Sequence, residues 1–198
     1  RKWRMQFHPR YGLAVTDGLF MTSRDGKSFR RWNEAFLRPG PESPKRWVYG
    51  DGYAAYGLIA TPTGVEGEDD ELSFYATGND WSDTPVQLFR YTLRLDGFVS
   101  RSAPYAGGEV VTQPLCFAGD ALHINFATSA AGSLRVVIED EAGSTLSGFD
   151  SGELFGDAAD RAVHFDGNLA AHAGQPVRLR FILRDADLYA FQFCTEGK

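Results

Sequence analysis

The chain has 198 residues, 43% hydrophobic and 23% charged, with a formal net charge of -6. That length holds one sizeable domain or two small ones, with enough apolar material to bury a core without metals or disulfide staples. The acidic balance argues against nucleic acid, whose phosphates need a basic face, and gives no support to an anionic membrane surface, so neither is expected as a partner.

The longest apolar run, Tyr53 to Ala60, is far short of the roughly 20 residues that cross a bilayer. No signal peptide opens the sequence at Arg1. The chain does not start with Met, which points to a removed leader or upstream region. The compartment stays open, with a secreted or periplasmic one considered.

Taken in chain order, the first element is a hairpin. Leu19–Thr22 and Ser28–Trp32 read as two strands joined by an Asp25-Gly26 turn. Pro39-Gly40-Pro41-Glu42-Ser43-Pro44 cannot be regular structure, because its prolines remove donors and fix φ. Arg46 to Ala60 reads as strand with a break near Gly50-Asp51-Gly52. Thr63 to Asp70 is acidic, Gly-rich and without periodicity, so it reads as an exposed loop. Glu71–Ala76 and Gln87–Leu95 are further strands. In the last of these Phe89, Tyr91, Leu93 and Leu95 share one face and Arg90, Thr92 and Arg94 the other.

All four tryptophans and most tyrosines precede Tyr91. The remainder is richer in Val, Leu, Ala and Phe, and Asp96-Gly97 supplies a turn. The composition shift divides the chain into 1–95 and 96–198.

In the second part, Leu122, Ile124 and Phe126 alternate with polar or small residues. Leu134, Val136 and Ile138 alternate with Arg135, Val137 and Glu139, and Val177, Leu179, Phe181 and Leu183 with Arg178, Arg180 and Arg184, and Tyr189, Phe191 and Phe193 repeat the pattern. Turns are expected at Gly119-Asp120, Glu141-Ala142-Gly143, Asp166-Gly167-Asn168 and Asp185-Ala186-Asp187. Single helical turns are expected near Leu154–Asp160 and Leu169–His172. Short alternating strands at this spacing predict an all-β chain whose second half is an antiparallel β-sandwich, jelly-roll-like.

Cys116 and Cys194 lie in predicted strands and are either bridged or two buried free thiols, the latter favoured. His8, His123, His164 and His172 are scattered and read as structural or solvated. No Cys/His spacing suits zinc, so no metal site is assigned. Asp120, Glu139, Asp140, Asp185 and Asp187 sit at turns or before the last strand, without calcium-loop spacing. No cofactor is expected, with a structural calcium as the one ion considered.

Several strings resemble a known family. They are Ser23-Arg24-Asp25-Gly26-Lys27-Ser28-Phe29, Asn33-Glu34-Ala35-Phe36-Leu37-Arg38-Pro39-Gly40, Trp47-Val48-Tyr49-Gly50-Asp51-Gly52-Tyr53 and Glu71-Leu72-Ser73-Phe74-Tyr75-Ala76-Thr77. They resemble the last part of five-bladed propellers of the invertase- and arabinanase-like glycoside hydrolases and their bacterial relatives. Arg90 to Ser100 resembles the passage into an appended C-terminal β-sandwich. Arg178–Phe181 and Asp187–Phe191 look like closing strands of that sandwich. The resemblance implies a propeller-blade-like antiparallel sheet followed by a sandwich, and a chain that is part of something larger. In that family the acidic catalytic residues come mostly from earlier blades. No catalytic residue carries over to a position of this chain.

Glycoside hydrolysis needs two carboxyl groups across the scissile bond. Asp51, Glu71, Asp80 and Asp83 are the candidates in the aromatic-rich half, and no spacing pairs them. Sugar binding asks instead for flat aromatics beside amide and carboxylate groups. Trp47, Tyr49, Asp51, Tyr53, Asn79, Asp80 and Trp81 fit that description, against the alternative that these rings are packing core. Trp32 reads as core. The sequence is therefore expected to be a non-catalytic carbohydrate-binding or accessory module whose partner is a poly- or oligosaccharide. The alternatives are hydrolase activity retained or completed by assembly, and a structural module without ligand. An unpaired sheet edge gives a route to a homo-oligomer.

Overall fold

The computed structural model describes residues 14–43, 46–50, 52–80 and 85–195. Among them the secondary structure is antiparallel sheet with a single 3-10 turn and no α-helix. The chain divides into two compact units, one of Arg1–Thr61 with Glu71–Leu93, the other of Pro62–Asp70 with Arg94–Lys198. The acidic loop therefore groups with the second unit, where Asp69 Oδ2 accepts from the Ala159 backbone N–H at 3.2 Å.

The first unit opens with strands β1 (Gly18–Thr22) and β2 (Arg30–Leu37), paired antiparallel. Their turn is built by Asp25. Its Oδ1 accepts from the backbone N–H groups of Ser28 at 2.7 Å and Lys27 at 2.8 Å, and from Ser23 Oγ at 2.9 Å. Those donors, the Ser28 N–H first, hold the Asp25 carboxyl well below the usual carboxylate range. Gly26 takes φ 70°, a left-handed conformation that costs glycine little.

The unit's other sheet orders β3 (Ile59–Thr61), β4 (Glu71–Gly78) and β5 (Gln87–Arg94) side by side. The long strand expected over Arg46–Ala60 does not form. Gly50, Gly52 and Gly57 all take positive φ (88°, 79° and 105°) and break it into turns. What survives is a short rung against β4, with Gly52 N–H donating to Thr77 O, Thr77 N–H to Tyr53 O and Ala55 N–H to Tyr75 O. A chain of aromatic contacts ties the two sheets of this unit together. Phe20 packs on Trp32 and Phe36 at centroid separations of 5.3 and 5.6 Å, Phe36 stacks on Phe74 at 5.6 Å, and Phe74 stacks on Tyr91 at 5.4 Å.

The second unit holds β6 (Arg101–Ala103), β7 (Gly108–Val111), β8 (Ala121–Glu139), β9 (Thr145–Leu154), β10 (Asp157–Val163) and β11 (Arg178–Cys194). The two long strands β8 and β11 pair along their whole lengths and bend together. Before the bend β8 lies between β10 and β11, and after it between β9 and β11. β6 and β7 extend the two halves of β11. The result is two four-stranded layers that share β8 and β11.

At the bend the register steps from Arg184↔Ser133 to Ala186↔Thr128, so Ser129 to Gly132 stand opposite Asp185 alone. Asp185 takes φ 44°, and the expected turn at Asp185–Asp187 is instead this bulge inside a continuous strand. Leu122, Ile124 and Phe126 on one side of the bend and Leu134, Val136 and Ile138 on the other join Leu179, Phe181, Leu183 and Leu188 in one core. Full burial of each such side chain contributes roughly 1.5–3 kcal/mol.

Other expectations change. Leu154–Asp160 is not helical but the end of β9 and the start of β10, while Leu169–His172 is the 3-10 turn, capped by Asn168. Cys116 is exposed and Cys194 half-buried, both free, so the thiols are not the buried pair the sequence favoured. After the bulge Ala186 and Leu188 face the core, and Tyr189 lies half-buried under the Arg94 guanidinium, 4.4 Å from its ring. Phe191 is on the surface, while Phe193 stacks on Phe117 at 4.1 Å. No helix among the described residues is long and apolar enough to cross a membrane.

Candidate functional site

A cavity of about 360 Å³ opens in the first unit. Thr16 and the Leu37–Gly40 segment form one wall, Arg46 and Gly52 another, and the end of β4 (Thr77, Gly78, Asn79) with Phe89, Arg90 and Tyr91 of β5 the third. The size suits one or two sugar rings, within the range of ordinary small-molecule sites.

Each wall has a local cause. The Pro39-Gly40 turn is held by Trp47, whose indole N–H donates to the Gly40 carbonyl at 2.9 Å. Gly40 takes φ 74°, and a β-carbon there would lie 3.1 Å from the Arg46 guanidinium. The Arg46–Gly50 turn is tied to the preceding chain by the Gly50 N–H, which donates to Thr16 Oγ1 at 2.9 Å. The β4 end is shaped by Gly78, since a β-carbon there would lie 2.4 Å from the Phe89 ring. The Phe89 ring therefore occupies the space that a side chain at position 78 would fill. Asn79 turns the chain with φ 64°, and its amide donates to Gln87 Oε1 at 2.7 Å. Thr77 Oγ1 donates to Asp80 Oδ2 at 2.8 Å.

The arginines divide into two kinds. Arg90 turns its guanidinium to Ser73 Oγ at 2.8 Å, Thr61 Oγ1 at 3.1 Å and Glu71 Oε1 at 2.6 Å, a network that braces the three strands. Arg38 and Arg46 are exposed, and among the described residues neither makes an ion pair. None of the described lining residues is an Asp or Glu. The cavity thus offers aromatic faces, hydroxyl and amide groups, and two guanidinium groups that make no ion pair among the described residues.

Compared with known proteins, the chain matches no family model, no curated protein and no solved structure.

Of the residues singled out in the sequence, Asn79 lines the cavity. Asp80 sits beside it through Thr77. Trp47 is 37% exposed, but its one donor is used on Gly40, so it shapes a wall. Tyr49 is half-buried, and Tyr53 is exposed and meets the site only through its carbonyl bond with Thr77. Asp51, Trp81 and Asp83 lie outside the described residues, as does His8. Thr16, Arg38, Arg46, Phe89 and Tyr91 line the cavity, although the sequence marks none of them as a site residue. Phe89 and Tyr91 were legible as one face of a strand, but the arginines sit in loops whose convergence has no sequence signature.

Among the described residues no group of three or more His, Cys, Asp or Glu side chains could hold a metal ion. Three of the acidic residues at the turns have other partners. Glu139 is buried and bonds Arg180 Nε at 2.6 Å, Asp187 accepts from Ser100 Oγ at 2.7 Å, and Asp140 accepts from the Ser144 N–H at 2.8 Å. Asp120 and Asp185 join no metal-binding group with them.

Proposed function

We propose that the first unit is a non-catalytic saccharide-binding module, of the kind appended to a glycoside hydrolase-like protein, with the β4–β5 cavity as its site. The observation that carries this reading is the lining. Phe89 and Tyr91 supply apolar ring faces next to the Asn79 amide and the Thr77 and Thr16 hydroxyls. A pyranose has the same division, with C–H faces that pack on rings and hydroxyls that need hydrogen-bond partners. Exposed groups alone serve this poorly, because a shallow surface desolvates neither part of the sugar.

Binding is favoured over hydrolysis by the absence of carboxyl groups among the described lining residues, since hydrolysis needs a pair of them. The resemblance to propeller hydrolases fits the same division of labour, with chemistry elsewhere and recognition here. A glycan array probed with the intact chain tests the reading. Retention of a defined set of saccharides, lost on Tyr91→Ala, is expected. An array with no bound glycan overturns it.

A further inference from the structure

The proposed saccharide site holds two cations that a neutral sugar does not require. Arg38 and Arg46 line the cavity without an ion pair among the described residues, whereas the third arginine, Arg90, is bound to Glu71. The unit that holds them carries 12 Lys and Arg against 8 Asp and Glu, so these guanidinium groups belong to the basic half of a chain whose net charge is -6. They flank the Pro39-Gly40 turn, which Trp47 fixes through its 2.9 Å bond to Gly40. Arg46 itself lies against Gly40, close enough that a β-carbon there would come within 3.1 Å of its guanidinium. Guanidinium groups on a fixed turn are partly ordered before any ligand arrives, which lowers the entropy lost on binding.

A guanidinium presents parallel N–H donors that match the two oxygens of a carboxylate. Beside aromatic faces and an amide, that pattern fits a sugar carrying a carboxylate at the ring. We propose, resting on the saccharide reading above, that the cavity takes an acidic saccharide, a uronic-acid oligomer whose carboxylate is held by Arg38 and Arg46 while its ring packs on Phe89 and Tyr91.

Calorimetric titration of the intact chain with galacturonate and mannuronate trimers tests this. The controls are the methyl-esterified trimers, the corresponding neutral trimers, sodium citrate and sodium sulfate. Binding of a free-acid trimer about ten-fold or more tighter than its ester is expected, as for hydrogen bonds to a charged group. The double variant Arg38→Gln with Arg46→Gln is expected to lose that margin, its affinities for acid and ester becoming equal. The ester comparison uses the parent chain, so it stands even if the variants fail to fold. Equal binding of acid, ester and neutral trimers overturns the acidic assignment and leaves saccharide binding intact. Binding of only neutral trimers does the same. Citrate or sulfate binding as tightly as the trimers overturns both, since the site then recognises charge without sugar. Binding of none of these overturns the acidic assignment, and the glycan array then decides the saccharide reading separately.

Discussion

The indole N–H of Trp47 donates to the carbonyl of Gly40 across 2.9 Å, and this bond fixes the turn that forms one wall of the cavity. A tryptophan that sequence offers as a stacking platform is thereby a wall support. Its ring is partly open to solvent, but its polar tip is committed to the backbone.

Trp47→Phe keeps most of the ring and removes the donor. It is expected to lower stability by about 1 kcal/mol, the usual worth of one hydrogen bond. Urea denaturation followed by circular dichroism measures this. Saccharide binding is expected to weaken as well, because the Gly40 turn loses its anchor.

Gly78→Ala tests the role of Phe89. The added β-carbon would lie 2.4 Å from the ring, so the ring must move. The cavity is lined by that ring, so the variant is expected to fold but lose saccharide binding. Far-UV circular dichroism with glycan-array retention distinguishes the two effects.

The bend of the second unit has a backbone requirement. A β-carbon at Gly132 would lie 2.3 Å from the Asp185 carbonyl oxygen and 2.7 Å from that of Arg184. Neither is the end of a flexible side chain, so Gly132→Ala is expected to cost about 3 kcal/mol, at the upper end for overpacking. A shift of the thermal midpoint is the readout. No shift would mean that the two layers join differently.

How far the sequence foretells this structure depends on burial. Leu122, Ile124 and Phe126 alternate because one face of a central strand is sealed in the core, and the same holds for Leu134–Ile138 and Leu179–Leu183. β9 and β10 flank β8 at the layer margins, and Asp157-Ala158-Ala159-Asp160 offers no apolar alternation to read. The bulge reads as a turn in the sequence because Asp185 and Asp187 are turn formers, and a left-handed aspartate serves both. The β4–β5 part of the site followed from alternation. The arginine part did not, because Arg38 and Arg46 come from loops that only the Trp47 bond and the neighbouring turns bring to one cavity.

Acid stability carries a sign. The Asp150 carboxyl is held below the usual range by its hydrogen bond from Arg135, Nε to Oδ1 at 2.6 Å, with the Gly152 N–H adding to it. A lowered native pKa contributes stability above the ordinary value of about 3.9 and loses it as pH falls through the lower native value. Asp150→Asn is therefore expected to be less stable than the parent near neutrality, with the gap closing below about pH 4. Asp25, lowered by its turn donors, follows the same sign. Urea midpoints measured across pH 2 to 7 check both.

The assignment of an acidic saccharide to the β4–β5 cavity is tested most directly by a 15N–1H correlation titration of the intact chain with a galacturonate trimer. The account predicts saturable amide shifts at Thr77, Gly78, Asn79, Phe89 and Tyr91, with Gly40 and Arg46 moving alongside them. Shifts confined to β8 and β11, or a spectrum that does not change, would contradict it.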